Sequence, residues 1–198
     1  MRGSEPETKE VFRADDILVT QCKRGDKKAF ELLVKKYQRR IFHLIYRITE
    51  DPNLVEPLAQ ESFLKAYRAI PSFKGDSQFY TWLYRITVNT CLSYVKREAP
   101  EETLENTTET EARLYAEDQT RFFQNNPEQD CIRKEFLARL IETLHKLPDE
   151  LRMAIILREF QGLNYEEIAE VLEIPLGTVR SRIFRARERL KESLALFL

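Results

Sequence analysis

The sequence predicts an all-α fold: two small helical domains joined by a flexible acidic linker. Two observations predict it. Apolar residues recur at helical spacing through both halves of the chain. The net charge of −1 conceals a strong segregation. Residues 12–98 carry 16 basic and 10 acidic side chains, a balance of +6, and residues 99–130 carry 2 against 9, a balance of −7. Residues 131–198 carry 12 against 11, a balance of +1. The simplest partition is a tail at 1–11, a first module at 12–98, a linker at 99–130 and a second module at 131–198.

In the first module, residues 15–24 read as a short helix ended by Gly25. Asp26 then starts a long one, in which Phe30, Val34, Tyr37, Ile41, Leu44 and Ile48 form a buried stripe. Lys35, Lys36, Arg39 and Arg40 lie off that stripe. The turn Asp51-Pro52-Asn53 is expected to stop this helix. In a third helix Pro57 falls in the first turn, where its missing N–H costs nothing. Leu58 and Ser62 lie near one face there, with Phe63, Ala66, Tyr67 and Ile70 toward the core. A fourth helix begins around Gln78, with Phe79, Leu83 and Ile86 inward. Its approach and body, 71–97, hold Phe73, Phe79, Tyr80, Trp82, Tyr84 and Tyr94 among Lys74, Arg85, Lys96 and Arg97. No single helix face can bury all those rings. Rings interleaved with cations suit single-stranded nucleic acid, since rings stack on bases while cations track phosphates. A ring-rich core accounts equally well for Phe79 and Trp82, whereas Phe73 beside Lys74, in a loop, favours nucleic acid.

The linker is low in branched aliphatics and rich in Glu, Thr, Asn and Gln, a composition expected to stay mobile. Leu114, Tyr115, Phe122 and Phe123 within it could dock onto a partner.

The second module carries the sharpest pattern. Asn164 can cap a helix, with Glu167 as the reciprocal partner of a capping box. Ile168, Ala169, Val171 and Leu172 supply its inner face. Pro175 and Gly177 then break the chain, and a last helix starts near Thr178. In it Val179, Ile183, Ala186 and Leu190 make one apolar stripe. Ser181, Phe184, Arg185 and Glu188 point the opposite way, with Arg180 and Arg187 on one flank. Residues 178–191 hold six basic side chains and one acid, about five net positive charges. This is a helix-turn-helix with an exposed basic helix sized for the major groove. The forked donors of arginine match phosphates and the O6/N7 edge of guanine.

Several classes are not expected. No run of about 18 apolar residues exists, so no membrane insertion is expected. The stretch MRGSEPETKEVF has no apolar core of a secretion signal, and its first four residues resemble an expression tag. Cys22, Cys91 and Cys131, odd in number and widely spaced, suit a reducing cytoplasm. His43 and His145 are far apart, so neither a metal nor another cofactor is expected. No Gly-rich phosphate loop or nucleophile–base set suggests an enzyme.

Two long stretches carry a resemblance. GDKKAFELLVKKYQRRIF, AQESFLKAYRAI and FKGDSQFYTWLYRITVNT resemble the promoter-melting domain of extracytoplasmic-function sigma factors, of the sigma-70 family. LPDELRMAIILREFQGLNYEEIAEVLEIPLGTVRSRIFRARERLK resembles that family's second domain. The likeness is nearest to the envelope-stress, sigma-E type. It implies a detachable, non-enzymatic subunit that binds the clamp helices and flap of core RNA polymerase. Promoter DNA would be met as duplex at the −35 element and as single strand at the −10 element. By the resemblance, Gln60, Glu61, Phe63 and Lys65 meet polymerase. Pro57 stands where the family commonly has aspartate, leaving Glu56 as the substitute charge. Phe73, Lys74, Gly75, Asp76 and Ser77 would receive a flipped −10 base, and Asn89 would contact that strand. Arg180, Ser181, Phe184 and Arg185 match the −35 readers. The linker would thread the interior channels of polymerase. An anti-sigma factor, often membrane-anchored, would hold the cytoplasmic protein inactive. The alternative is a helix-turn-helix regulator binding operator DNA without joining polymerase; a two-component regulator of that kind would need a receiver of alternating strands and helices, where 12–98 reads as all helix.

Overall fold

The computed structural model describes residues 15–98 and 127–195, and every regular element among them is helical. The chain divides into two units, Met1–Leu104 and Glu105–Leu198, each with its own core. The expectations for Leu114, Tyr115, Phe122 and Phe123 lie outside the described residues.

In the first unit, α1 covers 15–23. Gly25 follows at φ +93°, a left-handed backbone where a side chain would be strained. The Asp26 carboxylate then accepts the amides of Lys28 (2.9 Å) and Ala29 (3.3 Å) and starts α2, Lys27–Thr49. The expected stripe is buried except Val34, which is half-exposed, and Leu33 and Ile45 widen it. Lys36, expected away from the core, reaches back to Asp15 at 2.5 Å. Asp15 is itself buried and also accepts the Tyr37 hydroxyl, fastening α1 to α2. Burial, helped by that carboxylate, pushes the Tyr37 hydroxyl well above its usual titration range.

The next helix departs from expectation. Rather than a turn, Asp51 is an N-cap, accepting the Asn53 amide at 2.8 Å, and Pro52 opens α3, Pro52–Ala69. Left-handed Glu50 (φ 58°) makes the corner alone. Pro57 therefore sits inside α3, not in its first turn, and removes one interior hydrogen bond. Val55, Leu58, Ala59, Ser62 and Ala66 form the buried face. Phe63 and Tyr67, expected inward, are half-buried and exposed, because the face turned to the core runs through Val55, Leu58, Ala59, Ser62 and Ala66 and leaves both rings on its flank. Buried Ser62 satisfies itself by donating to the Leu58 carbonyl at 2.7 Å.

A 3-10 turn, Ile70–Ser72, leads through a loop to α4, Phe79–Glu98. Phe79, Trp82, Leu83, Tyr84, Val88 and Cys91 are buried, while Ile86 is half-exposed. Helix α4 packs against both α2 and α3, which is how one helix hides three of the rings. Burial pushes the Cys91 thiol up to about 12, so it behaves as a small apolar side chain.

In the second unit, α5 is Pro127–His145 and α6 is Asp149–Ile155, continuing as a π turn over Ile156–Phe160. Helices α7, Tyr165–Leu172, and α8, Leu176–Leu194, follow. The capping box forms: Glu167 N–H donates to Asn164 Oδ1 and Asn164 N–H to Glu167 Oε2, both at 2.8 Å. Ile168 and Val171 are buried, with Ala169 and Leu172 at the margin. The break between α7 and α8 lies at left-handed Glu173 (φ 54°) and at Pro175. Gly177 and Thr178 are already helical, two and three residues inside α8, so Thr178 is not its cap. Pro175 sets the entry with its fixed φ, and its carbonyl accepts the Thr178 amide at 2.9 Å. Val179, Ile183 and Ala186 are buried, while Leu190 is half-exposed. The stripe packs on α5, α6 and α7, and Thr143 and Ser193 hydroxyls meet at 2.7 Å between α5 and α8.

Candidate nucleic-acid interfaces

The first surface is the outer face of α8. Burying Val179, Ile183 and Ala186 forces residues on the opposite side into solvent. Arg180, Ser181, Phe184 and Arg185 are all exposed there, Phe184 by 65%. Exposing a phenyl ring to water is unfavourable in a monomer and suits a contact such as a thymine methyl. Among the described residues, no ion pair engages Arg180, Arg185 or Arg189. Two arginines of the same helix behave differently. Arg182 pairs with Glu150 at 2.7 Å, and Arg187 pairs with Glu159 at 2.6 Å. Both glutamates come from the stretch of α6 and its π turn. These pairs span 32 and 28 residues, so no local periodicity announces them.

The second surface surrounds the loop between α3 and α4. Phe73 caps the 3-10 turn by donating its amide to the Ile70 carbonyl at 3.1 Å. Its half-buried ring leans on Trp82, with centroids 4.9 Å apart, and edge-on to Phe79 at 6.2 Å. Lys23 of α1 places its ammonium 5.6 Å from the Phe73 centroid, a cation–π contact the sequence did not reveal. Lys74, Gly75 and Asp76 are exposed and Ser77 is half-buried. Gly75 turns the loop at φ +82°, open to solvent around its missing Cβ. The loop thus gathers Phe73 through Ser77. Asn89 stands apart from it, exposed about 15 Å of helical rise beyond Phe79 on α4.

The third surface is the outer side of α3. Gln60, Glu61 and Lys65 are exposed and Phe63 is half-buried. Lys65 is engaged, at 2.7 Å from Glu61 and donating to Thr90 at 3.1 Å. Gln60 approaches Glu56 at 3.5 Å. Leu64, 47% exposed, and Tyr67 continue the row from Gln60 at i+4 and i+7. An exposed leucine and tyrosine bounded by polar groups suit a protein partner.

Residues 33–101 match Sigma-70 region 2, and residues 137–190 match Sigma-70, region 4. RNA polymerase sigma-H factor of Pseudomonas aeruginosa is 46% identical over 180 residues, spanning 91% of this chain and 93% of that protein. The chain belongs to the sigma-70 family. It is an RNA polymerase sigma factor of the extracytoplasmic-function type. The ECF RNA polymerase sigma-E factor of Escherichia coli is 45% identical over 174 residues, covering 88% of this chain and 91% of that one. Among solved structures, CnrH in complex with the cytosolic domain of CnrY is similar with a TM-score of 0.68 and 27% identity. That likeness covers 92% of this chain and 98% of CnrH. In this sigma factor the α3 surface and the loop surface fall within region 2, and the α8 face falls within region 4. Among the described residues no cluster of three or more His, Cys, Asp or Glu could hold a metal, and no helix is long and apolar enough to cross a membrane.

Proposed function

We propose that the three surfaces divide the work of initiation. The face Arg180, Ser181, Phe184 and Arg185 reads the duplex −35 element in the major groove. The loop Phe73, Lys74, Gly75, Asp76 and Ser77, with Asn89 along α4, holds the unpaired −10 strand. Gln60, Glu61, Phe63 and Lys65 on α3 meet the clamp helices of core polymerase, and the second unit meets the flap. The chain contributes binding and no bond-making step, so it is a subunit and not an enzyme. A cytoplasmic site of action follows from these partners. CnrH was solved holding a cytosolic domain of another protein, and an anti-sigma factor, soluble or membrane-anchored, is the corresponding partner here.

The exposed ring and cations of α8 carry this reading, because burying one stripe leaves those four residues as the free face of a basic helix. Strand opening needs no motor on this scheme. Capture of an extruded base offsets unstacking of a few kcal/mol. The test is to add the protein to core polymerase with a library of promoter fragments and sequence the transcripts. The expected transcripts share two upstream elements at fixed spacing. Fragments bound without initiation above the core enzyme alone would instead point to an operator-binding regulator.

A further inference from the structure

The reading face of α8 uses only some of its cations, and the structure shows what restrains two of the others. At about 100° per residue, Arg182 and Arg187 fall on opposite edges of the Val179–Ile183–Ala186 stripe. Each is held by a glutamate of the element beneath. Arg182 Nη2 lies 2.7 Å from Glu150 Oε2, and Arg187 donates through Nη2 (2.6 Å) and Nε (3.1 Å) to Glu159 Oε1. The Arg182 side chain is 19% exposed, so its stem is packed along the helix junction. The Glu159 hydrogen bond raises the affinity of Arg187 for its proton, as expected of a cation held by a carboxylate.

Ties on both edges resist rolling of α8 in either direction, since a roll that shortens one lengthens the other. They also occupy two arginines next to exposed ones. On the helical wheel Arg187 neighbours Arg180, and Arg182 neighbours Arg189. Released, either could reach phosphate, which binds every sequence alike.

We propose that Glu150 and Glu159 are positioning residues for −35 recognition, fixing the roll of α8 and withholding Arg182 and Arg187 from DNA. They sharpen specificity by limiting sequence-blind contact. This rests on the reading of Arg180, Ser181, Phe184 and Arg185 as the duplex-facing set.

The experiment uses holoenzyme assembled from core polymerase and the full chain, on promoter fragments with a randomised −35 segment. Enriched fragments are sequenced, and affinity for one enriched fragment is followed across a salt series. Glu159→Gln should flatten the enriched −35 motif and steepen the salt slope by about one unit, the signature of one added phosphate contact. Glu150→Gln should act in the same direction. Arg187→Gln breaks the same tie without supplying a cation, so its salt slope should match wild type. The exchange Glu159→Arg with Arg187→Glu restores the tie and should restore the sharp motif. A purely structural role would weaken all fragments in parallel at unchanged salt slope. That result, or a slope in Arg187→Gln reduced by about one unit, would overturn the proposal. A charge exchange that behaves like Glu159→Gln would overturn it too. Arg185→Ala in the same library separates the two layers: an unchanged motif there refutes the duplex-facing set, while the salt slopes still judge the glutamates.

Discussion

Arg185 and Arg189 lie four residues apart on α8, both exposed, yet they should do different things. Arg185 shares the face of Ser181 and Phe184, whereas Arg189 stands nearer the edge held by Arg182. Arg185→Ala should cost about 1–3 kcal/mol on the preferred −35 sequence and relax preference at one base pair. Arg189→Ala should weaken all sequences alike, with a salt slope smaller by about one unit. Competition between wild-type and single-base-changed −35 duplexes across a salt series distinguishes them. In the first unit, Tyr37→Phe removes a donor from buried Asp15 and should destabilise that unit by about 1–3 kcal/mol, read as a lower denaturation midpoint. At this scale the sequence told which residues are exposed on α8, because one apolar stripe dictates the rest of a helical wheel. It did not reveal the partners of Asp15, Arg182 or Arg187, since those contacts join residues 21 to 32 positions apart. Phe73 was legible as a loop ring beside a lysine, but its packing on Trp82 depends on how α4 meets its neighbours.

Among the elements, an unambiguous local signal is enough to set a helix end. The Asn164–Glu167 capping box is written in four consecutive residues and forms as read. Asn164→Ala should cost about 1 kcal/mol and lower the melting temperature of the second unit. Asp51-Pro52 was ambiguous because an aspartate followed by proline opens a turn or caps a helix equally well. Left-handed Glu50 resolved it toward the cap and moved the start of α3 ahead of Pro57. The buried face runs through Val55, Leu58, Ala59, Ser62 and Ala66, so Tyr67 lies on its flank, edge-on to Phe30 of α2 and partly exposed. An interior proline leaves a testable mark. Pro57→Ala returns a backbone donor to an exposed position and should stabilise the first unit by about 2 kcal/mol, after allowance for unfolded-state entropy. Thermal melts followed by circular dichroism would show the increase. Similarly, α8 begins at Leu176 because Pro175 presets the entry, and the Thr178 signal was one turn too late.

In the whole molecule, two steps of initiation fall to two units of one chain on the proposed scheme. Fragments 1–98 and 127–198 should each fold alone, with helical spectra and separate cooperative melts, because each unit has its own core. Promoter binding and permanganate reactivity of the −10 strand in three holoenzymes decide this division of labour. They carry Asn89→Ala, Phe73→Ala or Arg185→Ala. Asn89 is exposed, so its variant perturbs no packing, while Phe73→Ala also loses its contact with Trp82. Asn89→Ala and Phe73→Ala should bind closed promoter nearly as wild type but leave the −10 thymines unreactive. Arg185→Ala should lose discrimination at one −35 position yet open, once bound, as wild type does. Wild-type opening by both Asn89→Ala and Phe73→Ala, or an opening defect in Arg185→Ala with −35 preference intact, would rule out this division between the two units.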